Sequence, residues 1–347
     1  MKLSFLVPTF RTGMEALATI MHVCSLAGPN VEVIVRDNSG DPEKAAFLQK
    51  LQTEHCHIYL APFCSLYVNL SEAAKLAKGE FVFNVADDDY VDPLVVDAIL
   101  QKIVSISDDP TYVGIIGDFL LSGTKGTELL TPEPIDGADA LTRYKQFVAS
   151  SRNLLWAVHR RKDYMRYIDF IRDLPGEFSF HDMHFNLLML MTGRYAKVER
   201  VIYYKNIIGS DDQTVDIHNK TLFFTRKGID AITQYTLMLL YIVEGCKVVI
   251  GSKLVDVPMD QRTQIAGLWC SHWFIRHIEY CRDFPDVENP NEVARETMRI
   301  CRKWAFSKKM VIDEVLADLV SLFALCNQEF AEQYSKFWAP LGKSEAA

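Results

Sequence analysis

The sequence lacks the features that mark several classes of protein. Its eight cysteines contain no C-x-x-C pair, and the opening run MKLSFLVPTFRTG is broken by Pro8 and Arg11 before a signal-peptide core could form. We therefore expect reduced cysteines and a cytoplasmic protein, with the inner face of the membrane as an open alternative. An excess of positive charge is also missing, because the formal net charge is -8, and this argues against a nucleic-acid partner.

Long hydrophobic runs and glycine-rich loops are missing as well. The longest apolar stretch, AITQYTLMLLYIVEGCKVVIG, carries Glu244 and Lys247 and so predicts a buried helix rather than a membrane span. The segment after the first predicted strand, PTFRTGMEAL, is poor in glycine. This counts against a nucleotidyltransferase, which usually has a glycine-rich, basic phosphate loop at that point.

Two kinds of periodicity divide the chain. In residues 1–215, short β-type runs alternate with segments of helical spacing, which is typical of βαβ units. The predicted strands are KLSFLVP, VEVIVRD, HIYLA, EFVFNVA and TYVGIIGDFLL, with YAKVERVIYYKN as the last. From Asp216 onward almost every segment has helical spacing. The sequence therefore predicts an α/β domain over 1–215, a mostly parallel sheet with flanking helices, and an α-helical domain over 216–347.

Three consecutive aspartates end the fourth predicted strand, in FVFNVADDDYVDP. If extended geometry continues past Ala86, Asp87 and Asp89 face one side of the strand and Asp88 the other. Repulsion and desolvation oppose such a cluster unless a positive group or solvent lies there. A D-x-D pair can bind a divalent metal and a sugar hydroxyl, because Mg²⁺ and Mn²⁺ prefer oxygen ligands. The alternative is an acidic turn of solvated carboxylates, with Asp92 capping the next helix.

Polar side chains also follow the first two predicted strands. PTF with Arg11 comes after the first strand, and RDNSGD comes after the second. In parallel sheets, ligands gather outside the carboxyl ends of the strands, so these residues and the three aspartates predict one pocket. Asp37, in DNSGD, has turn formation as its alternative role.

In this order, the motifs resemble those of the family 2 glycosyltransferases. The resemblance is carried by FLVPTFR from Phe5, VIVRDNSGD from Val33, SLYVNLSEAAKLAKGEFVFNVADDDYVDP from Ser65 and, more weakly, EFSFHDMHFNLLMLMTGRYAKV from Glu177. It implies a nucleotide-diphospho-sugar transferase (GT-A) fold. It also implies metal-dependent, inverting transfer of a sugar from a nucleotide-diphosphate sugar, usually a UDP-sugar, to a hydroxyl acceptor.

The resemblance also implies roles for single residues. Asp37 would accept a hydrogen bond from the base, Asp87 would lie beside the ribose or donor sugar, and Asp89 would bind the Mn²⁺ or Mg²⁺ that bridges the diphosphate. The full set implied for the nucleotide-sugar is Pro8, Thr9, Phe10, Arg11, Asp37, Asn69, Asp87 and Asp88.

The catalytic base implied by the resemblance is Asp182, which precedes a helix in HDMHFNLLML. A carboxylate there would take the proton of the acceptor hydroxyl as it attacks the anomeric carbon. Asp182 is also a suitable N-cap for a helix that starts at Met183, and His181 stands where the family has a glutamate. His181 and His184, three residues apart, allow a zinc site, but the sequence offers no third or fourth ligand.

Other positions depart from the family pattern. Val68 precedes Asn69 where a basic residue is usual, so one expected phosphate or sugar contact is either missing or supplied from elsewhere, for example by Arg11. The pattern Y-R-x-H after the last strand is represented by Tyr204 and Lys205 with Ile207 in place of the histidine, and His218 is a less favoured substitute as a metal ligand.

The sequence says least about the identity of the acceptor and about the role of the helical domain. The resemblance implies a glycan or lipid-linked sugar acceptor in polysaccharide synthesis. Dimerisation, acceptor binding and peripheral membrane contact stay open for residues 216–347, and the stripe of Trp269, Trp273 and Arg276 favours a helix packed in a core over a sugar platform. A catalytically inactive nucleotide-binding or scaffold relative is the main alternative function, followed by a nucleotidyltransferase.

Overall fold

The structure, a computed structural model, describes residues 1–123, 126–150, 153–174, 181–206, 236–282 and 292–338. The chain divides into two compact units. The first, here called the α/β unit, comprises Met1–Asp173 and Met189–Val215, and the second, the helical unit, comprises Leu174–Leu188 and Asp216–Ala347. The predicted division between residues 215 and 216 lies outside the described residues and stays a prediction.

A mostly parallel sheet forms the centre of the α/β unit. Its eight strands within the described residues are β1 (Leu3–Thr9), β2 (Val31–Asp37), β3 (Cys56–Leu60), β4 (Phe81–Asn84), β5 (Tyr112–Gly123), β6 (Gly126–Leu130), β7 (Val158–Arg160) and β8 (Arg194–Asn206). The order is β3-β2-β1-β4-β7-β5-β6, and β8 pairs with β5. Strands β6 and β7 run antiparallel to their neighbours and the others run parallel. The predicted α/β fold class is confirmed.

Helices flank this sheet. They are α1 (Met14–Cys24), α2 (Pro42–Gln49), α3 (Leu66–Leu76), α4 (Pro93–Ile106), α5 (Ala140–Ser150) and α6 (Arg161–Arg172), and α7 (His181–Thr192) spans the division between the units. Side-chain caps begin several of them: Asp41 accepts from Lys44 N–H, and Asp92 accepts from Leu94 N–H, as the Asp-Pro signal predicts.

The strand order explains where a ligand would bind. Strand β1 is buried along its whole length, as expected for a central parallel strand covered on both faces. The chain builds β2 and β3 on one side of β1 and then returns to place β4 on the other side. The carboxyl ends of β1 and β4 are therefore at a topological switch point, where open α/β sheets bind their ligands.

The helical unit has its own buried core. After α7 it continues with α8 (Leu240–Cys246), a π-helical turn (Lys247–Gly251), α9 (Met259–Arg282), α10 (Glu292–Ala305), α11 (Ile312–Cys326) and α12 (Gln328–Trp338). Helix α8 lies so close to α9 that a Cβ at Gly245 would approach the Trp269 ring to 2.2 Å. Trp269 is buried and contacts Tyr241, with ring centroids 4.9 Å apart. The predicted helical region is confirmed, and in the described ranges no helix is both long and apolar enough to cross a bilayer.

Candidate functional site

The three aspartates lie in a turn rather than on an extended strand. Strand β4 ends at Asn84, and Asp89 N–H donates to the carbonyl of Ala86 at 3.2 Å. Because the backbone reverses here, Asp87 and Asp89 turn to different partners. Extended geometry past Ala86, the condition under which they would share one side of the strand, is not met, and the alternative of a turn is the one present.

Asp87 holds the loop that follows β1. Thr9 Oγ1 donates to Asp87 Oδ2 at 2.7 Å, and the backbone N–H groups of Phe10 and Arg11 each donate to the same oxygen at 3.2 Å. The other oxygen, Oδ1, accepts from Arg11 Nη1 at 2.7 Å. Asp87 therefore joins the ends of β1 and β4, while the pocket predicted at this edge stays a prediction.

Two basic side chains offset the negative charge of this edge. Arg11 Nη1 lies 2.7 Å from both Asp87 Oδ1 and Asp88 Oδ1. Lys44, on α2, is almost fully buried and its Nζ lies 2.9 Å from Asp37 Oδ1. The same ammonium donates to Thr9 Oγ1 and to the carbonyl of Arg11, both at 2.7 Å. The repulsion between the carboxylates is thus already reduced by the protein's own cations.

Asp37 is engaged on both of its oxygens. Besides the ion pair with Lys44, Asp37 Oδ2 accepts from Ser39 Oγ at 3.0 Å and Oδ1 accepts from Ser39 N–H at 3.2 Å. Gly40 has a φ of 72°, which belongs to the left-handed region that glycine adopts readily. The turn role considered for Asp37 is present, and its base-binding role stays a prediction.

Asn69 lies on α3 and is buried against the end of β2. Its Oδ1 accepts from Arg36 Nη1 at 2.6 Å, and its Nδ2 donates to the Arg36 carbonyl and to Asn38 Oδ1, each at 3.2 Å. Arg36 therefore places a guanidinium beside Asn69. Strand β2 thus supplies a basic group beside Asn69, next to the position where the sequence has Val68.

Asp89 contacts the end of β8. It is 3% exposed, its Oδ2 accepts from Tyr203 Oη at 2.5 Å, and its Oδ1 accepts from Asn206 N–H at 2.8 Å. Burial raises the pKa of Asp89 to about 6, although both hydrogen bonds lower it. Asp88 lies close enough for its charge to raise this pKa further. A cation at Asp88 and Asp89 would remove that unfavourable charge.

The exposed part of the site is aromatic and acidic. Phe10 is 56% exposed and Phe63 is 72% exposed, and their rings meet edge to face with centroids 5.6 Å apart. The Asp88 side chain is about one quarter exposed. Pro8, by contrast, is buried within β1. Phe10 and Asp88 therefore face solvent, while Pro8 shapes the strand behind them.

The segment after the aspartates is tied to β8. Tyr90 and Tyr204 exchange two backbone hydrogen bonds, of 2.9 and 2.8 Å, and the Tyr90 ring stacks on His22 at 4.2 Å. Lys205 Nζ lies 5.2 Å from the centre of the Trp156 ring. The predictions for Ile207 and His218 fall outside the described residues.

Asp182 lies in the first turn of α7, which begins at His181 rather than at Met183. Its side chain is partly buried, and its Oδ1 accepts from Met183 N–H at 2.8 Å. By chain position Asp182 belongs to the helical unit, whereas the strand-end aspartates belong to the α/β unit. Its role as base stays a prediction.

Three residues that contact the site were not predicted from the sequence: Arg36, Lys44 and Tyr203. Arg36 directly precedes Asp37 at a strand end, and this position could have indicated it. Lys44 lies on a helix that periodicity did not reveal, because α2 has only eight residues and a weakly amphipathic pattern. Tyr203 is 114 residues away from Asp89, and nothing local indicates that contact.

The metal implied by the resemblance can be tested against these residues. Asp88 and Asp89 supply carboxylate oxygens, which suit Mg²⁺ and Mn²⁺. Magnesium is usually held by one or two carboxylates together with substrate phosphates, so a complete protein cage is not required. The donor chemistry of Asp88 and Asp89 therefore fits such an ion.

Comparisons with known proteins agree with this geometry. Residues 4–161 match the model of the family described as Glycosyl transferase family 2. No curated protein matches the sequence significantly. Among solved structures, the chain is similar to S. aureus TarS 1-349, with a TM-score of 0.57 and 14% identity over 93% of this chain and 81% of that chain.

Two complexes of the same S. aureus protein are equally similar. TarS 1-349 with UDP-GlcNAc has a TM-score of 0.57 and 13% identity, covering 95% of this chain and 82% of that chain. TarS 1-349 with UDP has a TM-score of 0.57 and 15% identity, covering 96% and 88%. At these identities the likeness shows a common fold. The family match lies within the α/β unit, so residues 4–161 are similar in sequence to glycosyl transferase family 2 and the chain shares its fold with TarS.

Proposed function

We propose that this protein transfers a sugar from a UDP-sugar to a hydroxyl of a glycan or lipid-linked sugar acceptor. The observation that carries the proposal is the meeting of Thr9, Arg11 and Asp87 at the switch point of a family 2 domain, with Asp89 in the next turn. The choice of UDP is supported by the similarity to TarS, whose structures include complexes with UDP and UDP-GlcNAc. We propose polysaccharide synthesis in the cytoplasm as the setting.

In this proposal the nucleotide binds over the ends of β1 and β2. Phe10 offers an exposed ring face to the base, and Asp37 reads the base through one of its oxygens. Arg11 is half-exposed and already lies between two aspartates, so it is placed to pair with a phosphate instead. Asp87 keeps the loop of Thr9 and Phe10 in position while the donor binds.

Asp88 and Asp89 would hold a Mn²⁺ or Mg²⁺ ion together with the diphosphate. Such an ion stabilises the negative charge that develops on a departing nucleoside diphosphate. Tyr203 and Asn206 orient Asp89 by donating to its two oxygens. Lys205 also lowers the pKa of Asp89, although less than the hydrogen bonds do, so it adds positive charge on this side.

Asp182 is proposed as the general base, on the strength of its position in the motif that precedes α7. It takes the proton from the acceptor hydroxyl as that oxygen forms a bond to the anomeric carbon. The bond from this carbon to the phosphate oxygen breaks in the same step, and UDP leaves with the electron pair. A single displacement of this kind inverts the configuration at the sugar carbon.

The first test is thermal unfolding of the wild type against UDP, GDP, TDP and UDP-sugars, with and without Mn²⁺. A ligand that binds only the native state raises the unfolding temperature. We expect a Mn²⁺-dependent rise with UDP that is lost in Asp89→Ala. Asp97→Asn, at an exposed position of α4, serves as the matched control and keeps the rise. No rise with any nucleotide contradicts the proposal.

Turnover is tested separately by release of UDP from UDP-sugars with added glycan acceptors. In Asp182→Asn, we expect UDP release to fall by about 10²-fold or more while the UDP-dependent rise in unfolding temperature is retained. Stabilisation by UDP in a wild type that turns over no donor would identify an inactive, nucleotide-binding relative instead.

A further inference from the structure

A second group of ionisable side chains lies within the helical unit. Among the residues that the structure describes, His181, His184 and Glu244 bring one ligand atom each to within 4.8 Å of one another. We call them the His–Glu cluster. His181 Nε2 lies 3.2 Å from Glu244 Oε2, and His184 Nδ1 lies 3.9 Å from the same oxygen. All three side chains are almost fully buried, so these polar groups face one another without access to solvent.

The contacts of the His184 ring depend on which of its two nitrogens carries the proton. A neutral imidazole carries one N–H, on either Nδ1 or Nε2. When that N–H is on Nε2, it donates to the carbonyl of Tyr241 at 3.2 Å, and Nδ1 then directs a lone pair toward Glu244. In the other tautomer, Nε2 and the Tyr241 carbonyl are two acceptors facing each other. Within the described residues Nδ1 has no hydrogen-bond partner. A cation placed between Nδ1 and Glu244 would interact favourably with both of these acceptors.

His159, in the α/β unit, shows how the same chain buries a structural histidine. Its Nε2 donates to the carbonyl of Leu154 at 2.7 Å, and its Nδ1 accepts from Tyr195 Oη at 3.1 Å. One unpartnered ring nitrogen is not sufficient evidence for a metal, since His277 Nε2 also has no hydrogen-bond partner among the described atoms. What distinguishes His184 is that its free nitrogen converges with a second imidazole and a carboxylate.

The neighbours of the His–Glu cluster are those expected around metal ligands. Tyr334 Oη donates to Glu244 Oε1 at 2.6 Å, which leaves Oε2 directed at the histidines. Metal-bound histidines commonly donate their second N–H to a carbonyl, as His184 does to Tyr241.

We propose that His181, His184 and Glu244 bind one Zn²⁺ ion. Two imidazole nitrogens and one carboxylate oxygen suit zinc better than magnesium or manganese, which prefer oxygen ligands alone. Ligand atoms around a tetrahedral zinc ion are about 3.3 Å apart, given bond lengths near 2.0–2.1 Å, and the pair of His181 Nε2 and Glu244 Oε2 already has this spacing. The ion links the first turn of α7 to α8. It is a separate site from the carboxylates at the strand ends and does not depend on the proposed donor.

Such an ion would also restrain Asp182, which lies between the two histidines in the sequence. A ligand on each side of Asp182 fixes the first turn of α7, and Asp182 is the proposed base. The glutamate expected at position 181 in the family is a histidine here, so the residue that departs from the pattern is the one that supplies the first zinc ligand.

The test measures metal binding directly, with the full chain freed of any affinity tag and stripped by a chelator. Zn²⁺ alone is titrated by calorimetry, and Co²⁺ alone is titrated while its visible absorption is recorded. We expect one equivalent of either ion to bind, and Co²⁺ to give the intense bands of a four- or five-coordinate site with nitrogen ligands. Absence of saturable binding by the wild type overturns the proposal.

Variants then locate the ion. His184→Leu should weaken Zn²⁺ binding by more than about 100-fold, since loss of even an outer-shell partner typically costs 10- to 100-fold. His159→Gln and Asp89→Asn are the controls and should bind as the wild type does. If Asp89→Asn abolishes binding and His184→Leu keeps it, the ion is at the strand ends and the proposal is wrong.

Because the His–Glu cluster is buried, a substitution there can prevent folding, so the test includes a second variant and a check of folding. His181→Gln keeps a polar side chain of similar reach and serves as the second variant. Circular dichroism of each variant establishes that it is folded before titration. The Co²⁺ spectrum of the wild type decides the point without any substitution, because octahedral coordination by oxygen ligands gives only weak bands.

Discussion

Each unit of this protein buries a carboxylate, and the two are compensated by different means. In the α/β unit, Asp37 is paired with Lys44 at 2.9 Å, and that ammonium also satisfies Thr9 and the Arg11 carbonyl. In the helical unit, Glu244 is surrounded by His181, His184 and Tyr334. The first arrangement is complete with protein atoms alone. Within the described part of the chain, the second leaves His184 Nδ1 without a hydrogen-bond partner, and this difference is the reason for proposing an ion there.

Removing the cation of the first site should have the largest effect on stability. In Lys44→Met, Asp37 keeps Ser39 as its side-chain partner among the described residues, and loss of one member of a buried ion pair costs about 4 kcal/mol. We expect this loss in the free energy of unfolding, measured with urea. Lys50→Met, at an exposed position just after α2, is the control and should change it by less than about 0.5 kcal/mol. A loss below about 1 kcal/mol in Lys44→Met would show that Asp37 is solvated.

Glu244→Gln tests the second site in the same way. With metal removed by a chelator, we expect a loss of about 3 kcal/mol, because Tyr334 and His181 lose an ionised acceptor. Glu329→Gln, exposed on α12, is the matched control and should be nearly neutral. Zn²⁺ should raise the unfolding temperature of the wild type but not of Glu244→Gln. An equal rise in unfolding temperature in both proteins would show that Glu244 is not a ligand of the metal.

A pH series tests the buried histidine of the α/β unit, whose hydrogen bonds are complete, in contrast to the His–Glu cluster. Burial lowers the pKa of His159 from 6.5 to about 3. Below pH 6.5 the unfolded chain therefore binds a proton at this residue that the native protein does not bind. The stability that neutral His159 contributes is therefore lost as the pH falls from 6.5, by about 2 kcal/mol at pH 5. His159→Gln should remove this part of the pH dependence. His55→Gln, only partly buried, is the control, and equal slopes in wild type and His159→Gln would contradict the assignment.

The smallest effect on stability is expected at Arg11. The Arg11 side chain is 54% exposed, so its ion pairs with Asp87 and Asp88 are screened by solvent and are expected to contribute less than about 1 kcal/mol. The difference in free energy of unfolding between the wild type and Arg11→Gln should become much smaller in high salt, because salt screens these ion pairs. Arg276→Gln, equally exposed but paired with an exposed glutamate, is the control and should lose less. A loss above about 2 kcal/mol in Arg11→Gln would place Arg11 among the structural residues.

The sequence predicted those parts of the site that are local. Strand ends, the Asp92 cap and the meeting of β1 with β4 follow from periodicity and from short motifs. The turn after Ala86 was predicted only as the alternative to an extended strand, because strand alternation gives no sign of where a backbone reverses. The contacts of Asp89 with Tyr203 and of His181 with Glu244 cross 114 and 63 residues, and such pairs depend on the tertiary fold. For the same reason the zinc alternative lacked its third ligand until Glu244 was located.

The long reach of the Asp89 contacts also sets when the site can be completed during synthesis. Asp87 and its partners Thr9 and Arg11 lie within the first 87 residues, so their hydrogen bonds are available early. Tyr203 and Asn206 follow Asp89 by 114 and 117 residues. At about 5–20 residues per second, the ribosome makes them roughly 6 to 23 seconds later. A nascent chain interrupted before β8 would therefore have the residues that contact Asp87 but not the groups that donate hydrogen bonds to Asp89.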